Sequence, residues 1–356
     1  MAQVLPPFSD AGVRGRRCFT RVAAILFLGL CLVIGLWNRF KRPRAALARP
    51  AQETAAPDVA PTPGLLRVGP DKDSVLLEPW PGGRMLALAI YSGQGLIFNP
   101  HRPDSIRRLQ LGADASIAAA LPDGGLVYGT GRGLVRVAAT PGEPGSDLGH
   151  LPEGPVALLG VSPDHKLVVA SGGQGYVGVW ELASKGQVGR FKLKFPAVLV
   201  NFLDASTLIV ATNEGDLARY SLDGRPRGGY NLPNVADAGS FEDAVLSPDR
   251  RRLVLVSGAV FNAPPVMWVV DLVRGVEEDF PDELEPGAAA FSPDSQVLAV
   301  CRDGKASIYN FATRQLHSRP LRGVPFLSVG VLPGKDPDHP LLLIGRTDGK
   351  LQIVPF

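Results

Sequence analysis

The sequence predicts an all-β fold, a seven-bladed β-propeller of four-stranded antiparallel blades, preceded by one N-terminal transmembrane helix and a Pro/Ala-rich linker. The first observation is a repeated pattern of three apolar runs separated by a turn rich in Pro, Asp and Gly and by a second, Gly-bearing turn. The second is the period of about 40 residues, which is typical of propeller blades. The third is an uncharged apolar stretch near the N-terminus.

The repeated unit is clearest where VSPDHKLVVASGGQGYVGVWE begins at Val161 and where FSPDSQVLAVCRDGKASIYNF spans Phe291–Phe311. Short apolar runs bounded by Gly, Pro and Asp indicate strands joined by hairpins. Pro163 belongs in the first turn, because proline cannot donate a ladder hydrogen bond. Asp164 suits the same turn, since its carboxylate can accept hydrogen bonds from nearby backbone amides.

Seven copies of the unit follow one another along the chain. They cover Leu76–Pro100, Ile117–Ala139, Val156–Leu182, Val198–Leu222, Ala244–Leu272, Ala288–Phe311 and Leu327–Phe356. Six copies share a second-turn glycine, a residue type that adopts positive φ at little cost. These glycines are Gly95, Gly133, Gly175, Gly215, Gly304 and Gly349. The seventh copy supplies three strands, so we expect Gly64–Pro70 to close the ring as the outer strand of the last blade, which removes open sheet edges.

The stretch GHLPEGPVALLGVSPDHKLVVASGGQGYVGVWE, Gly149–Glu181, resembles a WD repeat. It has the Gly-His pair, the Ser-Pro-Asp turn, and Trp-Glu where that family often has Trp-Asp. The other six copies keep the turns and strands but lack the Gly-His pair. The resemblance implies a propeller and a role in holding protein partners together. The family's second-turn Asp is present as Asp303 and Asp348, with Glu214 as a near relative, and Gln94, Arg132 and Gln174 replace it elsewhere.

The N-terminal part divides into a basic tail (1–21), a transmembrane helix or signal-anchor (22–40) and an Ala/Pro-rich linker (41–63). The sixteen uncharged residues Val22–Trp37 would span about 24 Å as a helix, and flanking residues extend that towards the roughly 30 Å hydrocarbon core. The linker has too few large apolar residues to form a core and is expected to be an extended spacer. The predicted anchor residues are Val22, Ile25, Leu28, Leu32, Leu36 and Trp37.

The orientation of the anchor does not follow from charge, because both flanks are basic. Arg16–Arg21 partly matches a twin-arginine export signal, which favours a propeller on the periplasmic side of the inner membrane. Ala46–Ala48 is a site that a signal peptidase could cleave. Retention of the anchor is favoured, since RFKRPR separates this site from the apolar stretch. Usage rich in Ala, Arg, Gly and Pro favours a bacterial source.

Several classes of chemistry have no counterpart in the sequence. The net charge is +3 and no basic face stands out on the repeats, so no nucleic acid is expected as a partner. Of the cysteines Cys18, Cys31 and Cys301, the propeller holds the last alone, which excludes an internal disulfide. No CxxCH or HExxH motif is present. We therefore predict no metal and no cofactor.

The candidate site lies on the side of the ring that carries the second turns. Five polar residues occupy these turns, either as solvated turn residues or as a polar rim that receives a protein partner's loop. They include no nucleophile–base pair, which counts against catalysis. In the fifth copy, Phe261 and Asn262 lie in a Pro-rich projection on the same side. Phe261 is either an interface anchor or folded back on its blade. The rim residues are Arg132, Gln174, Glu214, Asp303 and Asp348.

Trp80 is expected in a first-turn loop on the opposite side, either exposed or capping its sheet. The function that the sequence favours is a membrane-anchored, non-catalytic scaffold that binds envelope or membrane proteins, or an accessory subunit of a membrane complex. The alternative is an exported propeller enzyme, a hydrolase or a cofactor-dependent dehydrogenase, with its site in the central channel.

Overall fold

The computed structural model describes residues 64–356 except 231, 233–239, 259–263, 282, 303, 322–325 and 334–339, and leaves out the side chains of residues 103 and 104. The described residues form 28 strands in seven four-stranded antiparallel sheets. The predicted seven-bladed propeller is therefore confirmed. No helix that could span a membrane is found among the described residues. The predicted anchor and linker lie outside them.

Each blade is a meander of four strands. Blade 1 contains β2 (Val75–Trp80), β3 (Arg84–Ala89), β4 (Gln94–Asn99) and β5 (Arg102–Gln110). Blade 2 contains β6 (Ala115–Ala120), β7 (Leu126–Thr130), β8 (Leu134–Ala138) and β9 (Ser146–His150). Blade 3 contains β10 (Val156–Val161), β11 (Leu167–Gly172), β12 (Tyr176–Glu181) and β13 (Gln187–Lys192). Blade 4 contains β14 (Ala197–Phe202), β15 (Thr207–Thr212), β16 (Leu217–Ser221) and β17 (Pro226–Gly229).

The remaining blades repeat this order, and the last one takes its outer strand from the start of the described chain. Blade 5 contains β18 (Phe241–Leu246), β19 (Arg252–Ser257), β20 (Met267–Asp271) and β21 (Val276–Glu278). Blade 6 contains β22 (Ala288–Phe291), β23 (Val297–Arg302), β24 (Lys305–Asn310) and β25 (Gln315–Pro320). Blade 7 contains β26 (Phe326–Leu332), β27 (Leu341–Arg346), β28 (Lys350–Pro355) and β1 (Leu65–Arg67).

The first strand of every blade lies innermost and contacts the first strands of both neighbours, all the way round from β26 to β2. Fourth strands such as β17 and β25 are largely exposed. We call the side that carries the turns between first and second strands the first-turn face. It also carries the turns between third and fourth strands. The opposite side, with the turns between second and third strands, is the second-turn face.

The ring is closed as predicted, by pairing of β1 with β28. The two strands are antiparallel, with Leu65 opposite Gln352 and Arg67 opposite Lys350. Beyond β1, the amides of Val68 and Gly69 both donate to the Gly349 carbonyl, at 2.9 and 3.0 Å. The five residues after Gly64 thus join the last blade before the chain turns into the first blade.

A buried carboxylate, Asp73, fixes this junction. Its Oδ1 accepts hydrogen bonds from the amides of Ser74 and Tyr91, both at 2.9 Å. Its Oδ2 accepts one from the Ser92 amide at 3.0 Å. The Asp73 carbonyl accepts the Gly349 amide at 2.7 Å. One residue therefore ties the second turn of the last blade to the second turn of the first.

One apolar cluster fills each of the seven interfaces between neighbouring blades. Side chains alternate between the two faces of a strand, so in β11 Val168 packs towards blade 2 and Val169 towards blade 4. Because both faces of each sheet are covered, the second strands read as almost continuous apolar runs such as LVVAS and RLVLV.

The Ser-Pro-Asp turns share one hydrogen-bond arrangement. In blade 3, the buried Ser162 hydroxyl donates to Asp164 Oδ1 at 2.7 Å and accepts from the Leu167 amide at 2.9 Å. Ser247 and Ser292 do the same in blades 5 and 6. In all three turns the aspartate also accepts the amide two residues later, which confirms the role predicted for Asp164.

Two sequence-based assignments in blade 1 were wrong. The second-turn glycine with positive φ is Gly93 (φ 70°), whereas Gly95 lies inside β4. A Cβ on Gly95 would approach Leu109 Cδ1 at 2.9 Å, so packing accounts for this glycine. Trp80 does not lie in a loop but ends β2, where it is 4% exposed and caps the sheet. The second-turn glycines of the other copies do have positive φ: Gly133, Gly175, Gly215, Gly304 and Gly349.

The glycine of the Gly-His pair has a packing role. Gly149 lies in β9, the outer strand of blade 2, and the buried Trp180 of blade 3 packs against it. A Cβ on Gly149 would lie 2.1 Å from Trp180 Nε1. The missing side chain therefore lets the indole fill the interface between the two blades.

Replacing Asp73 with Ala should lower the free energy of unfolding by about 2–4 kcal/mol, because three backbone amides lose the buried carboxylate that accepts their hydrogen bonds. Replacing Asp71, whose ion pair with Arg67 is exposed, with Ala should change it by less than about 0.5 kcal/mol. Urea unfolding of the two variants provides the measurement. Equal stability of both variants would contradict the role assigned to Asp73.

Gly149→Ala should destabilise the protein by about 1–3 kcal/mol, because the new methyl group overlaps Trp180. Gly173→Ala is the matched control, since no atom lies within 4 Å of a Cβ at that position. Thermal unfolding monitored by tryptophan fluorescence would compare the two. A Gly149→Ala protein that melts together with the control would show that the indole does not depend on this glycine.

Candidate functional site

The second-turn face presents Arg132, Gln174 and Glu214 on three successive blades. All three side chains are exposed, and each is followed by a glycine with positive φ that sets the turn. The turns are anchored on both sides by paired strands. These residues therefore lie on a rim with an ordered backbone. This arrangement is compatible with both alternatives given above, solvated turn residues and a partner-binding rim.

Arg132 makes weak contacts with two neighbours. Its guanidinium lies 4.0 Å from the Asp114 carboxylate, and 84% of its side chain is exposed. Such an exposed pair contributes little to stability. The His150 ring hydrogen-bonds to the Arg132 carbonyl, Nε2 to O, at 3.2 Å. The histidine of the Gly-His pair thus contacts the backbone of the second turn rather than an aspartate side chain.

Asp348 differs from the other rim residues because its charge is already neutralised. Its carboxylate accepts hydrogen bonds from Arg346 at 3.0 and 2.9 Å and from Lys350 at 3.1 Å. Burial would raise the pKa of Asp348, but the hydrogen bonds from Arg346 and Lys350 outweigh it and hold the pKa below its usual value. Asp348 therefore stabilises its own hairpin.

The predicted site residues do not converge into one cluster. Among the described residues, no hydrogen bond or ion pair joins any two of Arg132, Gln174, Glu214 and Asp348, which belong to four blades. Asp303, Phe261 and Asn262 lie outside the described residues. The described part of the predicted site is thus a distributed rim.

On the first-turn face, Arg250 spans three blades. It follows the Ser-Pro-Asp turn of blade 5 and has φ 59°. Its Nε donates to the carbonyl of Phe202, the last residue of β14, at 2.9 Å. Its Nη2 donates to the carbonyl of Val161, the last residue of β10, at 3.4 Å. Because first strands are innermost, Arg250 lies at the mouth of the central channel.

Within the described part of the chain, the Arg250 guanidinium donates to main-chain carbonyls and forms no ion pair with an acidic side chain. Burial lowers the pKa of its guanidinium, which nevertheless stays charged at neutral pH. A half-buried cation at the channel mouth favours an acidic group there.

Glu78 is an ionisable group on the innermost strand of blade 1. It lies in β2 opposite Leu86, on the face towards blade 2. The described residues offer it no hydrogen bond or ion pair, and desolvation by burial raises the pKa of its carboxyl to about 8. Glu78 is thus largely protonated at neutral pH.

Other reactive groups are few in the described part of the chain. No three His, Cys, Asp or Glu side chains there are grouped so that they could hold a metal ion. Burial raises the pKa of the Cys301 thiol to about 12, so it is a packed apolar residue and not a nucleophile. The comparisons with known proteins add no assignment: no family model and no curated protein matches the chain.

Replacing Glu78 with Gln should flatten the pH dependence of stability. The folded-state pKa of about 8 exceeds the ordinary value of 4.5, so between these values the folded protein holds a proton that the unfolded chain has released. Glu78 therefore lowers stability as pH rises through this window, by at most about 1.4 kcal/mol per pH unit. Glu78→Gln should melt above the wild type at about pH 8.

Glu214→Gln is the matched control, because this glutamate is exposed on a turn. It should keep the pH dependence of the wild type. Melting temperatures of the three proteins measured across this pH range give the test. A Glu78→Gln profile parallel to that of the wild type would contradict a partly buried, protonated Glu78.

Proposed function

We propose that this protein is a membrane-anchored propeller that acts as a non-catalytic, protein-binding scaffold, or as an accessory subunit of a membrane complex, in the bacterial envelope. The observation that carries the proposal is the fixed presentation of exposed polar side chains on the second-turn face by Arg132, Gln174 and Glu214. A rim whose backbone is already ordered loses little conformational entropy when a partner binds.

The direction of β1 supports the choice of face. β28 begins at the second turn of blade 7, and Arg67 lies opposite its first residue, Lys350. The strand β1 therefore runs from the first-turn side to the second-turn side, and the chain upstream of Gly64 joins the ring on the first-turn side. The chain therefore enters the ring on the side opposite the exposed turns that carry Arg132, Gln174 and Glu214.

The linker fits such an arrangement. Residues 41–63 are rich in Ala and Pro, and an extended chain of this length reaches about 70 Å at roughly 3.1 Å per residue. We propose the periplasmic side of the inner membrane, on the partial twin-arginine pattern at Arg16–Arg21.

Site-specific photo-crosslinking in intact membranes tests the partner-binding face. A photoreactive amino acid at Gln174 should yield discrete protein adducts that mass spectrometry identifies. The same residue at Val188, which is 46% exposed on the outer strand of the same blade, should yield few. Adducts of equal yield at both positions, or none at Gln174, would contradict a partner on the second-turn face.

A further inference from the structure

A small groove lies between blades 1 and 2 on the first-turn face, away from the rim discussed above. Its volume is about 250 Å³. That is below the roughly 300–1,000 Å³ of pockets that hold drug-sized ligands. The groove therefore suits one small polar group rather than a large molecule. Its wall includes Trp80, Arg84, Arg107 and Asp123.

The two arginines of this groove have unused donors. Arg84 Nε donates to the Pro81 carbonyl at 2.9 Å, and Arg107 Nη2 donates to the Pro141 carbonyl at 3.0 Å. Within the described part of the chain, neither guanidinium forms an ion pair within 4 Å. A guanidinium has five N–H groups, so each retains several donors for a ligand.

Trp80 adds an independent observation. Its side chain is 4% exposed, and its Nε1 has no hydrogen-bond partner among the described residues. Leaving a buried N–H unsatisfied costs about 1–3 kcal/mol, and native structures contain few such groups. Trp80 is also one of the residues that line the groove.

A second groove lies at the equivalent position between blades 5 and 6, and there the protein's own side chains pair with an arginine. It has a similar volume, about 260 Å³, and includes Arg251 and Arg252. There Arg252 Nε pairs with Glu278 Oε2 at 2.8 Å, and its guanidinium lies 4.3 Å from the centre of the Phe311 ring. Asp271 also lines that groove. Among the described residues, neither Arg84 nor Arg107 in the groove of blades 1 and 2 has such an ion pair or ring contact.

We propose that the groove between blades 1 and 2 binds a single carboxylate group through Arg84, Arg107 and the Trp80 indole N–H. Two arginines and Asp123 give the wall a formal charge of +1, which one carboxylate neutralises. The planar guanidinium matches a carboxylate with two parallel hydrogen bonds. The carboxylate belongs either to a small free acid or to an acidic side chain, and this inference does not depend on the proposed scaffold role.

The test uses the full-length protein labelled with 5-fluorotryptophan, in which Trp80→Phe assigns the ¹⁹F signal of Trp80. Propionate and a capped Ala-Glu-Ala peptide are titrated at constant ionic strength. At least one of these two probes should shift the Trp80 signal until it saturates. The probe that does so shows whether the carboxylate comes from a small free acid or from an acidic side chain. Sodium chloride and capped Ala-Gln-Ala are the negative controls.

Arg84→Gln and Arg107→Gln should each weaken binding at least fivefold, while Arg251→Gln, in the groove of blades 5 and 6, should leave it unchanged. Far-ultraviolet circular dichroism verifies that each variant is folded. A Trp80 signal that moves no more than with chloride overturns the proposal. So does equal binding by the Arg84 and Arg251 variants. A response to inorganic phosphate without one to either carboxylate probe assigns the groove to phosphate and overturns the carboxylate proposal.

Discussion

The antiparallel pairing of β1 with β28 is the constraint on which the rest of the structure depends. It brings a segment from before the first blade into the last blade, so the chain itself connects blades 7 and 1. The interface between these blades buries Met85, Phe98 and Leu343 in one apolar cluster. If the ring opened, both sides of this cluster would meet water, at a cost of about 25 cal/mol for each Å² of apolar surface exposed.

Closure also determines where charge can be placed. Because every sheet is covered on both faces, ionisable side chains concentrate in the turns and on the outer strands. Two half-buried ionisable side chains on or near the innermost strands show how the protein accommodates such groups. Desolvation raises the pKa of the Glu78 carboxyl, so that it stays protonated at neutral pH. The Arg250 guanidinium stays charged and donates hydrogen bonds to main-chain carbonyls. The turns and the outer strands therefore present ionisable side chains to a partner or ligand.

Local patterns predicted much of this fold, because each turn is built from residues close in sequence. The Ser-Pro-Asp turns and the second-turn glycines follow from hydrogen bonds and φ values within a few residues. The closing strand could be predicted by counting strands. The junction at Asp73 could not, since its partners Tyr91 and Ser92 are 18 and 19 residues away and no repeat of the motif marks them.

The candidate sites were harder to predict than the fold for the same reason. Arg250 reaches residues 48 and 89 positions earlier, and the groove at Trp80 joins residues of two blades. Position within the repeat did place Arg132, Gln174 and Glu214 correctly on one face. It could not show that the charge of Asp348 is neutralised by Arg346 and Lys350, which depends on side-chain rotamers in the folded hairpin.

Native-state hydrogen exchange at the Val68 amide tests closure most directly, because this N–H donates across the junction to the Gly349 carbonyl. If the ring depends on this junction, the amide exchanges through global unfolding alone. Its opening free energy then equals that of the buried β27 amides. A Val68 amide that exchanges freely while β27 stays protected would show that β1 detaches from an otherwise intact ring, and would contradict the account.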